Sequence, residues 1–324
     1  MNEESIKNKI YYYLDKNIKN NTPEAVLLSG GIDSSAIAYI AQKYNPNIKA
    51  ITVTNDLLEG SDKSFAIKVS NYLGIKNHLF ATLDERDINK LIEKVVISLE
   101  CFNIYWVSAA LVLFKGIEFA KKNGIKSVAT GEGSDDLFGS FQVMVNWEGT
   151  NEELMDFIFI RMNDIDVMTQ KVSKFLGVDV ILPFHDKDLI KFALSLPINK
   201  RFRKNKNGSV ETKYLLRAAF RDLLPNSVVA RPQTMAFSGA STLDILTKEF
   251  ENYRNIKEYQ KKYNIKFSTG FECYLFDILN KHNKYKKSTD GPTCLYCHSK
   301  LRSEKSVHCT TCGTLQYKGK ILPF

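Results

Sequence analysis

Through roughly the first 140 residues, short apolar runs alternate with segments whose apolar positions recur at helical spacing. The first run, Ala25-Val26-Leu27-Leu28, is followed by Ile37, Ala38, Ile40 and Ala41 at i, i+1, i+3 and i+4, which reads as a strand and then a helix. Residues 49–54 give a second strand, and 62–73 a helix stopped at Gly74, a residue suited to a left-handed cap. A third strand at 77–82, helices at 87–99 and 107–122, the latter stopped by Gly124, and a fourth strand at 126–130 continue the alternation. Residues 1–20 read as an amphipathic helix leading in. Strands alternating with helices predict an α/β fold with a doubly wound parallel sheet, whose ligand sits at the carboxyl ends of the strands. From about residue 141 the pattern turns mainly helical, with helices expected at 151–162, 164–176, 186–195, 211–223, 242–263 and 268–281. The run Val180-Ile181-Leu182-Pro183-Phe184 is too isolated to assign to a strand.

Two unusual turns fall at predicted strand ends. Ser29-Gly30-Gly31-Ile32-Asp33-Ser34-Ser35 joins the first strand to its helix. Glycines let the backbone approach a ligand, successive N–H groups form an anion nest, and the helix N-terminus adds positive charge. Ser29, Ser34 and Ser35 add hydroxyl donors. Asp33 would repel a phosphate unless it holds a Mg²⁺ that the phosphate shares. The string is neither a GxxxxGK[ST] loop nor a GxGxxG turn. It resembles the pyrophosphate loop of the N-type ATP pyrophosphatases (PP-loop enzymes), which cleave ATP between its α and β phosphates. The second turn, Thr130 to Gly139, carries Glu132, Asp135 and Asp136. Acids favour helix N-termini in general. Beside a nucleotide loop they read better as a second Mg²⁺ ligand and a general base. In the 211–223 segment Lys213, Arg217 and Arg221 form a cationic stripe at i, i+4 and i+8, for which a solvated face is the ordinary expectation. Residues 200–208 read as a basic, flexible loop.

Composition changes the picture at the C-terminus. The net charge is +9, and residues 281–324 hold nine Lys/Arg against two acids. Of six cysteines, Cys294 and Cys297 form one CxxC pair, and Cys309 and Cys312 another, with Gly313 after the second. Four thiols at this spacing predict a closed structural Zn²⁺ site in a ribbon over residues 286–324, following a domain at 1–285. His298 and His308 adjoin the cysteines, but four thiolates close the shell without them. Lys284, Lys286, Lys287, Lys300, Arg302 and Lys305, with Tyr285 and Tyr296, offer phosphate contacts and base stacking to a nucleic acid such as tRNA; a solvated charge run is the plainer reading. Cys101 and Cys273 lie among apolar residues, where buried structural thiols are the default, and Cys101 is the candidate if sulfur is transferred. No apolar run approaches membrane-spanning length and no signal-peptide core is visible at the start, so a cytoplasmic protein with no membrane partner is expected.

Taken in order, SGGIDSS, GEGSDDLFGSF, PFHDKDLIKFALSLP, ETKYLLRAAFRDLLP and Arg231-Pro232-Gln233 resemble the synthetase domain of asparagine synthetases and the related β-lactam synthetases, over roughly residues 10–245. The resemblance implies an adenine nucleotide α-hydrolase-like sheet with a helical C-terminal extension. It implies an ATP-dependent adenylating ligase that forms AMP and PPi while joining an acyl group to an amine or ammonia. By this resemblance Ser29, Gly30, Gly31, Asp33, Ser34 and Ser35 bind pyrophosphate, Asp33 and Asp135 bind Mg²⁺, and Val53 and Asp62 lie on the adenosine side. Gly131 walls the pocket, Glu132 faces the acyl-adenylate, and Lys213 stabilises charge on the phosphates. Residue 2 is Asn rather than the glutaminase nucleophile of asparagine synthetases, and only about 25 residues precede the first strand; ammonia is then expected from a partner, or the nucleophile is another amine or a sulfur donor. Thr234 stands where the family often has Lys, and Asp136 where it usually has Glu, so free aspartate is not favoured as the acyl substrate. A small molecule and a carrier- or macromolecule-bound substrate both fit. Two other readings stay open: a tRNA-modifying PP-loop enzyme that reads its substrate through the ribbon, and a non-catalytic ATP-binding adaptor.

Overall fold

The computed structural model describes residues 1–55, 61–84, 86, 88–164, 168–204, 210–233 and 242–322. Helix α1 (Glu3–Asn20) leads into β1 (Ala25–Leu27), α2 (Ile32–Tyr44), β2 (Lys49–Asn55), α3 (Asp62–Leu73), β3 (Asn77–Leu83), α4 (Ile88–Leu99), α5 (Ile104–Lys122) and β4 (Ser127–Ala129). Then come α6 (Ser134–Phe138), α7 (Gln142–Val145), α8 (Asn151–Asp164), α9 (Met168–Leu176), β5 (Asp179–Ile181) and α10 (Lys187–Leu194). The five strands make one all-parallel sheet in the order β3-β2-β1-β4-β5. The chain winds outward from β1 to β3 and then crosses back to β4. The switch point therefore lies between the carboxyl ends of β1 and β4, where such sheets bind ligands.

Strand alternation divides the interior in two. Ala25, Ile51, Val53, Ala81 and Val128 face a core built with α4, α5 and α9. Val26, Leu28, Ala50 and Ala129 point the other way, into a core with α1, α2 and α6. Helix α5 ends just before β4, so it runs antiparallel to the strands and its N-terminus stands at the carboxyl edge of the sheet.

Beyond the sheet, a short hairpin of β6 (Arg203–Lys204) and β7 (Val210–Glu211) precedes α11 (Tyr214–Phe220), α12 (Asn226–Val229), α13 (Thr242–Glu249), α14 (Ile256–Tyr263) and α15 (Gly270–Lys281). The ribbon closes the chain with β8 (Gln316–Tyr317) and β9 (Lys320–Ile321).

Several expectations are corrected. The unassigned run at 180 supplies β5, an edge strand that β4 pairs through Ser127, Val128 and Ala129. Helix α5 starts at Ile104 because the Asn103 Oδ1 accepts the Trp106 N–H at 3.0 Å as an N-cap. The 242–263 segment is two helices, the second opened by Asn255 as its cap. Helix α11 starts only at Tyr214, because Lys213 is left-handed at φ 57°. Lys213 and Arg217 are 0% and 5% exposed, so those two members of the cationic stripe point into the molecule rather than to water. The basic segment is anchored by fully buried Arg201, which donates to the carbonyls of Leu137 and Ala193. Glu59, Gly60, Asp87, residues 205–209 and Thr234 lie outside the described residues.

Candidate active site and metal centre

Both special turns meet at the switch point. A Cβ added to Gly131 would stand 2.7 Å from the Asp33 Cβ and 3.1 Å from the Ser34 nitrogen, so the second turn lies directly on the first. Gly30 has φ +72°, and a Cβ there would fall 2.5 Å from the backbone of α3 at Phe65 and Ala66. Only glycine allows that approach.

The first turn is fastened by its own hydroxyls. The Ser34 Oγ accepts the Ser29 N–H at 3.2 Å and lies 3.1 Å from the Ser29 Oγ, which in turn accepts the Gly31 N–H at 3.3 Å. Gly31 is the N-cap of α2 and offers it no side-chain acceptor, so the first turn of this 13-residue helix keeps N–H groups for an incoming anion. Ser35 is fully buried, and its hydroxyl has no partner in the structure.

Lys213 enters this site from the hairpin side. Its Nζ lies 2.5 Å from the Asp33 Oδ2 and 2.9 Å from the Asp135 Oδ1. Burial disfavours the ammonium, but the charges of Asp135 and Asp33 outweigh it and raise its pKa. The carboxylates are displaced in opposite directions. Burial raises Asp33 against the pull of Lys213. At Asp135 burial also acts upward, yet Lys213 and the donated Ser140 hydroxyl prevail and lower it. The side chains of Asp33 and Asp135 remain 18% and 28% exposed, so a ligand reaches both. The Asp33 Oδ1 is buried without a hydrogen-bond partner. Two carboxylates against one ammonium, with an acceptor oxygen unused, form a donor set that suits a hard divalent cation.

The remaining predicted residues fall around this centre with varied roles. Glu132 accepts the backbone N–H groups of Met168 and Thr169 at 3.1 and 3.0 Å, capping α9, and burial raises its pKa against those bonds. Asp62 is taken up by an ion pair of 2.7 Å with Arg231. Val53 packs toward Gly116 of α5, and its side chain faces the core rather than the two turns.

Sequence reasoning passed over several residues that the structure brings in. Arg231 donates to the Ser29 carbonyl at 3.0 Å and to the Ser61 hydroxyl at 2.9 Å, and its guanidinium lies 4.2 Å from the Phe65 ring centre. It ties the first turn to α3. Gln233 donates to the Asp135 Oδ1 at 3.2 Å. Arg161 is 5% exposed and holds Asp136 at 2.5 Å through its Nε. The Arg-Pro-Gln string was the visible signal for the first two. Arg161, one charge in an ordinary amphipathic helix, gave none.

The four ribbon thiols are buried and lie within 4.8 Å of one another, an arrangement fit for a metal ion. The Cys294 and Cys312 Sγ atoms are 3.7 Å apart, as are those of Cys297 and Cys309. The Ser299 hydroxyl adds polar contacts to Cys297 at 2.9 Å and Cys309 at 3.3 Å. The left-handed Gly313 sits where a Cβ would strike Asn103 at 2.6 Å.

Around the ribbon the aromatic residues are occupied. Tyr285 packs on Phe276 and donates to the Cys297 carbonyl at 2.7 Å, and Tyr296 is part-buried on the core. Lys284 pairs with Glu100 and Lys300 with Asp290. Cys101 is 1% exposed, and burial pushes its thiol up to about 12, which opposes a nucleophilic role.

The sequence profile described as Asparagine synthase matches residues 14–154 and 147–261. Similar curated proteins include "Asparagine synthetase [glutamine-hydrolyzing] 1" of Lotus japonicus, 32% identical over 240 residues, which cover 69% of this chain and 40% of that protein. The root asparagine synthetase of Pisum sativum is 31% identical over 240 residues, covering 69% and 41%. The chain thus spans about two fifths of the length of these relatives. Among solved structures, an NMN synthetase from Francisella tularensis aligns with a TM-score of 0.37 at 16% identity, covering 90% of this chain and 98% of that one.

Proposed function

The chain belongs to the asparagine synthase family, and on that premise we propose that it is an ATP-dependent ligase that adenylates a carboxylate or amide oxygen and passes the acyl group to an amine or ammonia. One carboxylate or amide oxygen of the substrate attacks the α-phosphorus, the bond to the bridging oxygen breaks, and pyrophosphate leaves. The nucleophile then adds to the acyl carbon, loses a proton, and expels AMP. The observation that carries this reading is the convergence of Asp33, Asp135 and Lys213 beside the uncapped N-terminus of α2 at the sheet's switch point.

The Ser29–Ser35 turn would receive the leaving pyrophosphate, and Asp33 and Asp135 would hold Mg²⁺, which supplies charge neutralisation at the phosphates. The unpartnered Asp33 Oδ1 is the atom that fits the ion. Lys213 keeps its proton and faces the charge that develops on the departing group. Glu132 is fixed by α9 through two bonds and retains lone-pair sites, so with its raised proton affinity it is the group to take the proton of the attacking amine. Arg231 and Asp62 hold the adenosine side of the turn rather than bind freely.

The four ribbon cysteines take Zn²⁺ in this reading, since a zinc–thiolate shell with bonds of about 2.3 Å has edges of about 3.8 Å, close to the two distances of 3.7 Å. The nitrogen is supplied by a partner or by the substrate amine itself.

The test is pyrophosphate release from ATP and Mg²⁺ in the presence of pools of amino acids, small carboxylates or tRNA. Release stimulated by a small-molecule pool is expected; release stimulated only by tRNA would replace the ligase with a nucleic-acid-modifying enzyme. In the stimulated assay Asp33→Ala and Asp135→Ala should each lower turnover by at least about 100-fold with circular dichroism unchanged. Normal turnover in both would remove the metal assignment.

A further inference from the structure

The ribbon grips the body of the protein at two points, the start of α5 and the helix α8. At the first, the Phe102 N–H donates to the Thr311 carbonyl at 2.8 Å and the Asn103 Nδ2 to the Cys312 carbonyl at 3.0 Å. Asn103 is also the cap of α5, and His308 stacks on Trp106 one turn further, with ring centres 4.3 Å apart at 21°. At the second, Tyr317 lies against Trp147 and Phe157, its hydroxyl donates to Asp156 at 3.0 Å, and Lys318 pairs with Glu153 at 2.7 Å. Asp156, Phe157 and Glu153 belong to α8, the helix whose Arg161 holds Asp136 beside the metal-facing Asp135. The ribbon contributes its cysteines to one core and Val307 and Leu315 to the other.

Among the described residues, the ladder pairing within the ribbon is three isolated bridges and a hairpin with two residues in each strand, beside the turn hydrogen bonds of the two cysteine knuckles. Four thiols in one buried cluster supply the missing cohesion only when a metal binds them, because metal–thiolate bonding is folding free energy in such small units. We propose that the ribbon is a metal-dependent clasp that positions the reaction cleft, with His308 and Tyr317 as the positioning residues that carry its grip to α5 and α8. This rests on the ATP-site reading for its consequence, but the clasp itself is a statement about order in α5 and α8. By linkage, loss of the ribbon metal then loosens α8 and weakens nucleotide binding, although no ribbon residue need touch the nucleotide.

The experiment uses the full chain in three forms: as purified, stripped with a zinc-selective chelator and returned to Mg²⁺, and carrying Tyr317→Ala. Metal content, hydrogen exchange over 99–106 and 151–164, and affinity for an α,β-methylene analogue of ATP are measured on each. Stripping should raise exchange in both segments and weaken the analogue by about tenfold or more. Tyr317→Ala should keep the metal, raise exchange in 151–164, and weaken the analogue, whereas Tyr317→Phe, which retains the ring packing, should recover most of the affinity. Unchanged exchange in the stripped protein and in Tyr317→Ala would overturn the clasp. If the metal-loaded native chain fails to bind the analogue, the ATP reading falls, and exchange alone decides the clasp.

Discussion

At the scale of single residues, the decisive feature is a lysine in a backbone conformation that suits it poorly. Lys213 sits at φ 57° with its side chain wholly buried between two carboxylates. A left-handed non-glycine residue costs about 1 kcal/mol or more, so the surroundings must over-determine it. Those surroundings are the ion pairs, the Phe138 carbonyl that accepts the Lys213 N–H at 3.2 Å, and the hairpin before it. Truncation at Lys213→Ala would leave Asp33 and Asp135 facing each other without a cation. Loss of about 3–5 kcal/mol is expected for breaking such a pair, read by urea unfolding, together with loss of pyrophosphate release. Added Mg²⁺ should recover part of the stability but not the turnover, because the cation replaces charge and not the group at the phosphates. Equal stability of the variant and the native chain without Mg²⁺ would refute the buried triad.

At the scale of elements, caps decide where helices begin, and the start of α15 includes a buried titratable carboxyl. Helix α15 opens with Thr269, whose hydroxyl accepts the Glu272 N–H at 3.1 Å, while the Glu272 carboxylate accepts the Ser268 N–H at 2.6 Å. Burial pushes the Glu272 carboxyl up to about 7 despite these bonds. A carboxyl whose folded pKa lies above its unfolded value near 4.5 binds its proton more tightly in the native state. Its contribution is therefore fully present below pH about 4.5 and is lost as pH rises through about 7. Glu272→Gln keeps an acceptor for the Ser268 N–H without the charge. It should raise stability above pH 7 by an amount on the order of 2–3 kcal/mol and leave it nearly unchanged below pH 4.5. Denaturant midpoints at pH 4.5 and 8 test this, and an equal effect at both would refute it.

At the scale of the whole molecule, the ribbon is a continuation of the two cores rather than an appendage. Removing residues 286–324 would uncover Trp106, Trp147 and Phe157 together, a large apolar surface for a chain of this size. Insoluble or aggregated protein is the expected result of that truncation, read by soluble yield and size-exclusion profile. A soluble, monodisperse product would show that the cores close without the ribbon.

The sheet and the two turns were legible in the sequence because their signals are local: an apolar run, a glycine pair, acids at a strand end. The same is true of the four cysteines, whose spacing within each pair already limits what they can hold. What sequence alone misjudged is what depends on partners far along the chain. Spacing made Lys213 and Arg217 look like a solvated face, because it reveals the face of a helix and not which side carries the core. Only packing turned that face inward toward Asp33, 180 residues away. Asp62, expected on the adenosine side, gave no sign in the sequence of its ion pair with Arg231, 169 residues away. The strand at Asp179–Ile181 had only a short, isolated apolar run as its signal, since the pairing that makes it a strand comes from β4. Local features, the glycine–serine turn and the thiol set, were thus determined by the sequence. The tertiary structure decided which charges share a low-dielectric site and where the ribbon rests, because those outcomes depend on distances that no one segment encodes.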